Sequence, residues 1–232
     1  MSCSPPPNEQ TPPSISIVVP TLNEALAISA HVEGLRRQGF AEIVVADGGS
    51  RDDTLALASD AGARLVVAAK GRANQMNAGA AVATGDVLVF LHADTRLPDT
   101  AAASICAALR DPRVKGGCFR LRFDEDRGIL RLYGWASHLE SYWTSFGDQA
   151  FFVRRSVFDE LGGFPVQPLM EDVEMRLRLR RAGRFVKLAA TATTSARRFI
   201  EEGLVRRQAL NAAMLLAYGL GVGAERLKRF NA

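Results

Sequence analysis

The sequence predicts an α/β fold, a mostly parallel sheet with helices on both faces. Three observations carry this reading. Short apolar, β-branched runs alternate with stretches whose apolar residues recur at helical spacing. Gly39, Gly62 and Gly85 fall where those helical stretches stop. The connections between them are short, which suits repeated β-α-β units and leaves little room for other topologies. The chain has 232 residues, enough for one domain or one domain with an appendage. Its apolar fraction of 47% and charged fraction of 23% are those of a globular protein. A disordered, collagen-like or disulfide-scaffold chain is thereby excluded.

Taken in order, residues 1–13 read as a disordered leader, because Pro5-Pro6-Pro7 and Pro12-Pro13 lie there. Residues 15–19 form a buried strand. Residues 25–38 carry Ile28, Val32 and Leu35 at helical spacing. Strand 42–46, helix 53–61, strand 64–68, helix 74–83 and strand 87–91 follow. Helix 98–109 opens on Pro98, a residue tolerated in a first turn. Phe119, Leu121 and Phe123 alternate with Arg120 and Arg122, so a half-buried strand is expected. Tyr133, Trp135, Tyr142, Trp143 and Phe146 crowd together as a core wedge or as a cleft wall. Val173, Met175, Leu177 and Leu179 also alternate, with Glu174, Arg176 and Arg178 between them. That period favours a strand over 173–179, although Ala182-Gly183 beyond it has the look of a helix stop. Residues 199–232 read as a tail of one or two amphipathic helices. These pack on the domain or, alternatively, cover a substrate site or rest on anionic lipid.

The net charge is +4, but it is unevenly spread. Residues 176–207 hold nine Arg and one Lys against Glu201 and Glu202, which suits an anionic partner or a solvated helix face. Cys3, Cys106 and Cys118 are odd in number and do not form a disulfide framework; Cys106 reads as a small core residue. The first 14 residues are polar and hold five prolines, unlike a signal peptide. No apolar run approaches the ~18–20 residues that span a bilayer. A cytoplasmic protein is expected, with contact to the inner face of the membrane through 199–232 as a further reading.

Ligands of such folds bind at the carboxyl ends of the strands. Acidic clusters stand there. Pro20-Thr21-Leu22-Asn23-Glu24 follows the first strand, Asp47-Gly48-Gly49-Ser50 the second, and His92-Ala93-Asp94 the fourth. One cluster alone could cap a helix, and Ser50 and Asp53 have the spacing of a capping pair. Three clusters in register point to nucleoside recognition or a hard divalent ion. With Gly147-Asp148-Gln149 and Glu171-Asp172 further on, the order of motifs resembles the inverting family-2 glycosyltransferases of the GT-A fold, over about residues 15–200. The stretches 71–77 (Gly71-Arg72-Ala73-Asn74-Gln75-Met76-Asn77) and 195–199 resemble a bacterial subgroup that carries the label of arsenosugar biosynthesis.

The resemblance implies a GT-A, Rossmann-like domain over 14–198, with a nucleotide-binding half (14–110) and an acceptor half (111–198). It implies that Pro20, Thr21, Glu24, Asp47 and Gly49 hold the nucleoside of a nucleotide-sugar donor, with UDP the family's commonest, and that Arg72 lies near the base or a phosphate. Asp94 matches the last acid of the family's Asp-x-Asp motif and would bind Mg²⁺ or Mn²⁺ against the diphosphate. His92 replaces that motif's first acid. It is read as a partner of the nucleotide or a buried residue in preference to a metal ligand, since imidazole suits Mn²⁺ less well than carboxylate. Arg197 or Arg198 would neutralise the diphosphate. Asp172 matches the catalytic base that takes a proton from an acceptor hydroxyl, with Glu171 as rival and Asp148 helping to bind the acceptor. The resemblance also turns 171–182 into a helix beginning at the base.

Other classes fit less well. An aspartyl phosphatase would need an acid where His92 stands. A nucleotidyltransferase would show a Gly- and Arg/Lys-rich loop after the first strand. A nucleic-acid binder would interleave aromatics with its arginines, and no nucleic-acid partner is expected. A non-catalytic nucleotide-sugar-binding protein remains the alternative, favoured by His92 and opposed by Asp94, Asp148 and Asp172 together.

Overall fold

A computed structural model describes residues 12–125 and 149–230, except 198, 199, 201 and 202, with positions 128, 130, 131 and 134 between them. The aromatic cluster 133–146, Asp148 and Arg198 lie outside the described residues. The strands are β1 (Ile15–Thr21), β2 (Glu42–Asp47), β3 (Arg64–Val67), β4 (Val87–Phe90), β5 (Thr95–Arg96), β6 (Val114–Phe123), β7 (Phe151–Arg154) and β8 (Arg184–Thr194). The helices are α1 (Ile28–Arg37), α2 (Thr54–Asp60), α3 (Arg72–Val82), α4 (Ala101–Leu109), α5 (Arg155–Glu160), α6 (Glu171–Ala182), α7 (Leu204–Gly219) and α8 (Ala224–Phe230).

The described strands form one sheet in the order β3-β2-β1-β4-β7-β6-β8-β5. β1 to β4 are parallel; β7 runs antiparallel to β4 and β6, while β8 is parallel to β6. The chain winds outward from β1 through β2 to β3, then crosses back to β4 on the other side of β1. That reversal puts a topological switch point between β1 and β4, where α/β sheets bind ligands.

Side-chain alternation along the strands divides the core in two. Ile17, Val19, Ile43, Val45 and Val89 face α1, α2 and α4 on one side. Val18, Val44, Leu88, Phe90 and Phe151 face α3, α5 and α6 on the other. This is the two-faced burial expected of parallel strands joined by helices. α3 lies close to the sheet because Gly79 has no side chain there: a Cβ would run into Val18.

Several features of the second half bear on the sequence expectation. β6 begins five residues earlier, at Val114, and β7, α5 and β8 come where no element was assigned. β7 passes straight into α5 between Arg154 and Arg155, so no loop marks the boundary. Residues 171–182 are the helix that the resemblance implies, not the strand that the period of two suggests. The Arg-rich stretch is also no single solvated face. Arg176 is fully buried, its guanidinium 6.0 Å from the Phe185 ring centre, while Arg178 pairs with Glu174 and Arg184 with Asp111. Cys106 is half-buried on α4, and neither it nor the buried Cys118 is in a disulfide.

Candidate active site

Register brings the predicted clusters to one edge. Thr21 of β1 lies directly beside Asp47 of β2. β4 ends at Phe90, beside Val18 on one side and Phe151 on the other, so His92 and Gln149 emerge at that same edge. The loops after β1 and β2 are zipped together. The amide of Asn23 donates to Ser50 Oγ at 2.8 Å, that of Arg51 to Asn23 Oδ1 at 2.9 Å, and that of Glu24 to Thr54 Oγ1 at 2.8 Å.

Asp47 is 1% exposed, and its carboxylate serves its own loop. Oδ2 accepts from the amides of Gly49 and Ser50, each at 2.8 Å, and Oδ1 from the Ser50 hydroxyl. Gly49 can follow because its φ is +92°, a conformation that other residues resist. The capping explanation for Ser50 and Asp53 therefore fails: the Ser50 hydroxyl is spent on Asp47, and Asp53 stands at the start of α2 without a side-chain cap.

Gln75, one turn into α3, ties the strand ends together. Its buried Nε2 donates to the carbonyls of Thr21 (2.6 Å) and Ala46 (3.0 Å). The sequence reading gave Gln75 no role. A signal was present, because Gln75 interrupts the buried stripe of Ala73, Met76 and Ala80. Asn77 locks α3 to the segment ahead of α6: its side chain exchanges two hydrogen bonds with the Phe164 backbone, at 2.9 and 2.8 Å.

Arg72, at the start of α3, reaches the pocket proper. This is a small, partly open hollow lined by Arg72, Met76, Phe90, His92, Phe151, Phe164 and Asp172. It gathers a cation, an imidazole and a carboxylate from three separate elements. Glu171 is 4% exposed and turned to Arg72, with 3.4 Å between charges. Burial first, then the charge of adjacent Asp172, pushes the Glu171 carboxyl up to about 7, while Arg72 pulls the other way. Asp172 accepts from the amide of Val173 at 2.8 Å.

The edge is also where the backbone is strained. Asn23, Ala150 and Met170 have φ of 56°, 51° and 65°. Each stands next to a predicted motif, and Met170 directly precedes Glu171. Left-handed residues other than glycine cost about 1 kcal/mol or more and gather where geometry is dictated by function.

Asp94 sits apart from this pocket, between β4 and β5. Its carbonyl accepts from the Ser195 amide at 3.1 Å, which brings exposed Arg197 to the same corner. Its Oδ1 accepts from Thr95 at 3.3 Å. Among the described residues there is no cluster of three metal-ligating side chains. A half-buried Asp94 nevertheless suits a hard cation that takes one protein carboxylate and completes its shell with phosphate oxygens and water.

A Rossmann-like sheet with an acid-lined switch point is the arrangement at which α/β proteins bind their ligands. The chain belongs to glycosyl transferase family 2, whose model matches residues 16–164, more than half its length. The PGL/p-HBAD biosynthesis glycosyltransferase of Mycobacterium bovis (strain BCG / Pasteur 1173P2) is 31% identical over 174 residues, 66% of this chain and 63% of the relative. The match thus spans less than two thirds of that relative's length. A mannosyltransferase from Pyrobaculum calidifontis, solved with GDP-Man and Mn²⁺, superposes with a TM-score of 0.69 at 20% identity, over 94% of this chain and 67% of that one. Glucosyl-3-phosphoglycerate synthase from Mycobacterium tuberculosis, solved with Mn²⁺, UDP-Glc and phosphoglyceric acid, gives 0.65 at 18% identity, over 90% and 80%. The fold is GT-A. These names bear on family and fold; they do not bear on the arsenosugar label.

Proposed function

We propose that the protein transfers a glycosyl group from a nucleoside-diphosphate sugar, a UDP-sugar first among donors, to an acceptor hydroxyl with inversion. The observation that carries this reading is the pocket joining Arg72, His92 and Asp172 at the carboxyl edge of the sheet. Inversion needs one carboxylate to take the acceptor proton and no second carboxylate as nucleophile. Asp172 is that base. It lines the pocket, whereas Glu171 is buried against Arg72.

The remaining roles follow from position. Thr21, Pro20 and Glu24 form the nucleoside side, on loops that Asp47, Gly49 and Gln75 hold in shape. Arg72 and His92 face the transferring group. Arg197 offers charge to the diphosphate from the corner of Asp94, and Asp94 holds Mg²⁺ or Mn²⁺ there. Such an ion, when bound, neutralises the charge developing on the leaving diphosphate. That other members of the fold are solved with Mn²⁺ and GDP-Man or UDP-Glc supports the donor class.

The test is Asp172→Asn. It should bind UDP as the wild type does, by calorimetry, and lose 10²–10⁴-fold in sugar transfer, as the removal of a general base does. Nucleotide release from a panel of UDP- and GDP-sugars gives the rate. Transfer at the wild-type rate in Asp172→Asn would remove Asp172 as the base.

A further inference from the structure

A helix on a protein surface presents charged or polar residues to water and buries its other face. α7 breaks this pattern. Met214 and Leu215 are buried, yet the opposite face, with Ala209, Ala212, Ala213, Leu216 and Leu220, is exposed and apolar as well. Leu216 is 51% and Leu220 80% exposed, and they lie one turn apart. Residues 208–224 carry no charge at all. The expected amphipathic helix is thus apolar on its outer side, a side that needs a cover.

Charge follows at once. Glu225, Arg226, Lys228 and Arg229 of α8 are all exposed, a net excess of two cations. α8 is tied to α7 through the turn at 220–223, where the amides of Leu220, Gly221 and Val222 donate back into α7. An apolar face flanked by exposed cations matches the boundary of an anionic bilayer, with acyl chains beside the leucines and headgroup phosphates beside the bases. A second copy of the chain in the same place would bring like charges together. No helix among the described residues is long and apolar enough to cross a membrane, so the helix lies on the surface.

We propose that α7 and α8 form a docking surface for anionic lipid. The surface stands beside the pocket. The Gln167 side chain donates to the Tyr218 hydroxyl of α7 at 3.5 Å, and Gln167 belongs to the segment joining two pocket walls, Phe164 and Asp172. Its neighbour Val166 is 72% exposed. The proposal rests on the fold and the surface, and is independent of the transferase reading.

Co-sedimentation of the full chain with vesicles tests it, using pure phosphatidylcholine against phosphatidylcholine with 30% phosphatidylglycerol. Binding is expected to the anionic vesicles only, and to fall steeply in 0.5 M salt. Each base near such a surface contributes about a five-fold change in partitioning, so neutralising all three to Gln should weaken binding roughly a hundred-fold. Leu216→Ser with Leu220→Ser should weaken it ten-fold or more while leaving the melting temperature and UDP binding unchanged. Equal binding to neutral vesicles, or none to either, overturns the proposal. So does a dimer in sedimentation equilibrium that the two Leu→Ser changes dissociate, since the face would then cover itself.

Discussion

Glu171→Gln should remove a pH-dependent weakness from the fold. The Glu171 carboxyl is buried beside Asp172 and titrates at about 7 against a normal 4.5. A folded state that holds a proton more tightly than the unfolded chain takes one up between those values. Its advantage is complete below pH 4.5, declines as pH rises, and is gone above 7. The distance between the two values corresponds to roughly 3 kcal/mol. The value of about 7 already contains the pull of Arg72, so no separate offset applies. A glutamine cannot ionise, so the variant lacks the decline. For a chain of this size each kcal/mol moves the melting temperature by about 2–4 °C. Relative to wild type, Glu171→Gln should therefore gain about 6–10 °C on going from pH 5 to pH 8, whatever its offset at pH 5. Melting followed by circular dichroism without nucleotide measures it. Asp172→Asn supplies a control: removing the neighbouring charge should flatten the wild-type slope in part, since burial is the larger cause. Parallel curves for wild type and Glu171→Gln across that range would mean that the carboxyl titrates normally, and the account of a dry, crowded acid pair would fall.

Further predictions concern the metal corner and the frame. Asp94→Ala should abolish the Mn²⁺-dependent part of UDP binding in calorimetry, whereas wild-type binding indifferent to EDTA would detach Asp94 from any metal. Gln75→Leu removes two buried hydrogen bonds, each of about 1 kcal/mol. It should lower the melting temperature by about 4–8 °C and weaken UDP binding, because the carbonyls of Thr21 and Ala46 lose their common brace. A change under 0.5 kcal/mol would show that the ladder between β1 and β2 holds those strand ends alone.

The first half of the fold was legible because its physics is local. Each strand from β1 to β4 is a short apolar run, and each helix between them carries its own apolar stripe and stop signal. The second half lost that rhythm. β7 is antiparallel and flows directly into α5, and β8 follows α6 after the single residue Gly183, so boundaries leave no trace in loop composition. α6 shows how a period is disguised. Its buried positions include Val173, Met175, Arg176 and Leu179, and the largest side chain among them is an arginine. With a charged residue at the centre of the apolar stripe, the helical repeat disappears and the alternation of Val173, Met175 and Leu177 is what remains to be seen. The Arg176 guanidinium lies over the Phe185 ring, 6.0 Å from its centre.

The candidate site divides along the same line. Residues whose chemistry is their own signature (Asp47, His92, Asp94, Asp172) could be picked out at strand ends, where a sheet has few other uses for acids. Residues that act by holding the backbone could not. Gln75 matters because two carbonyls from different strands end within reach of one amide, and Asn77 because Phe164 turns back to meet it. Neither proximity exists until the sheet has formed. Asp47 crosses the two categories: its type and place suggest recognition, while its hydrogen bonds build the loop on which recognition depends. An Asp47→Asn variant would thus disturb loop and ligand together, and loss of binding there would not identify a contact. Glu171 and Asp172 separate more cleanly, because one is turned to Arg72 and buried while the other lines the pocket. Adjacent in sequence, they differ by about 100° around the helix axis, and that rotation turns one carboxylate to Arg72 and the other to the pocket.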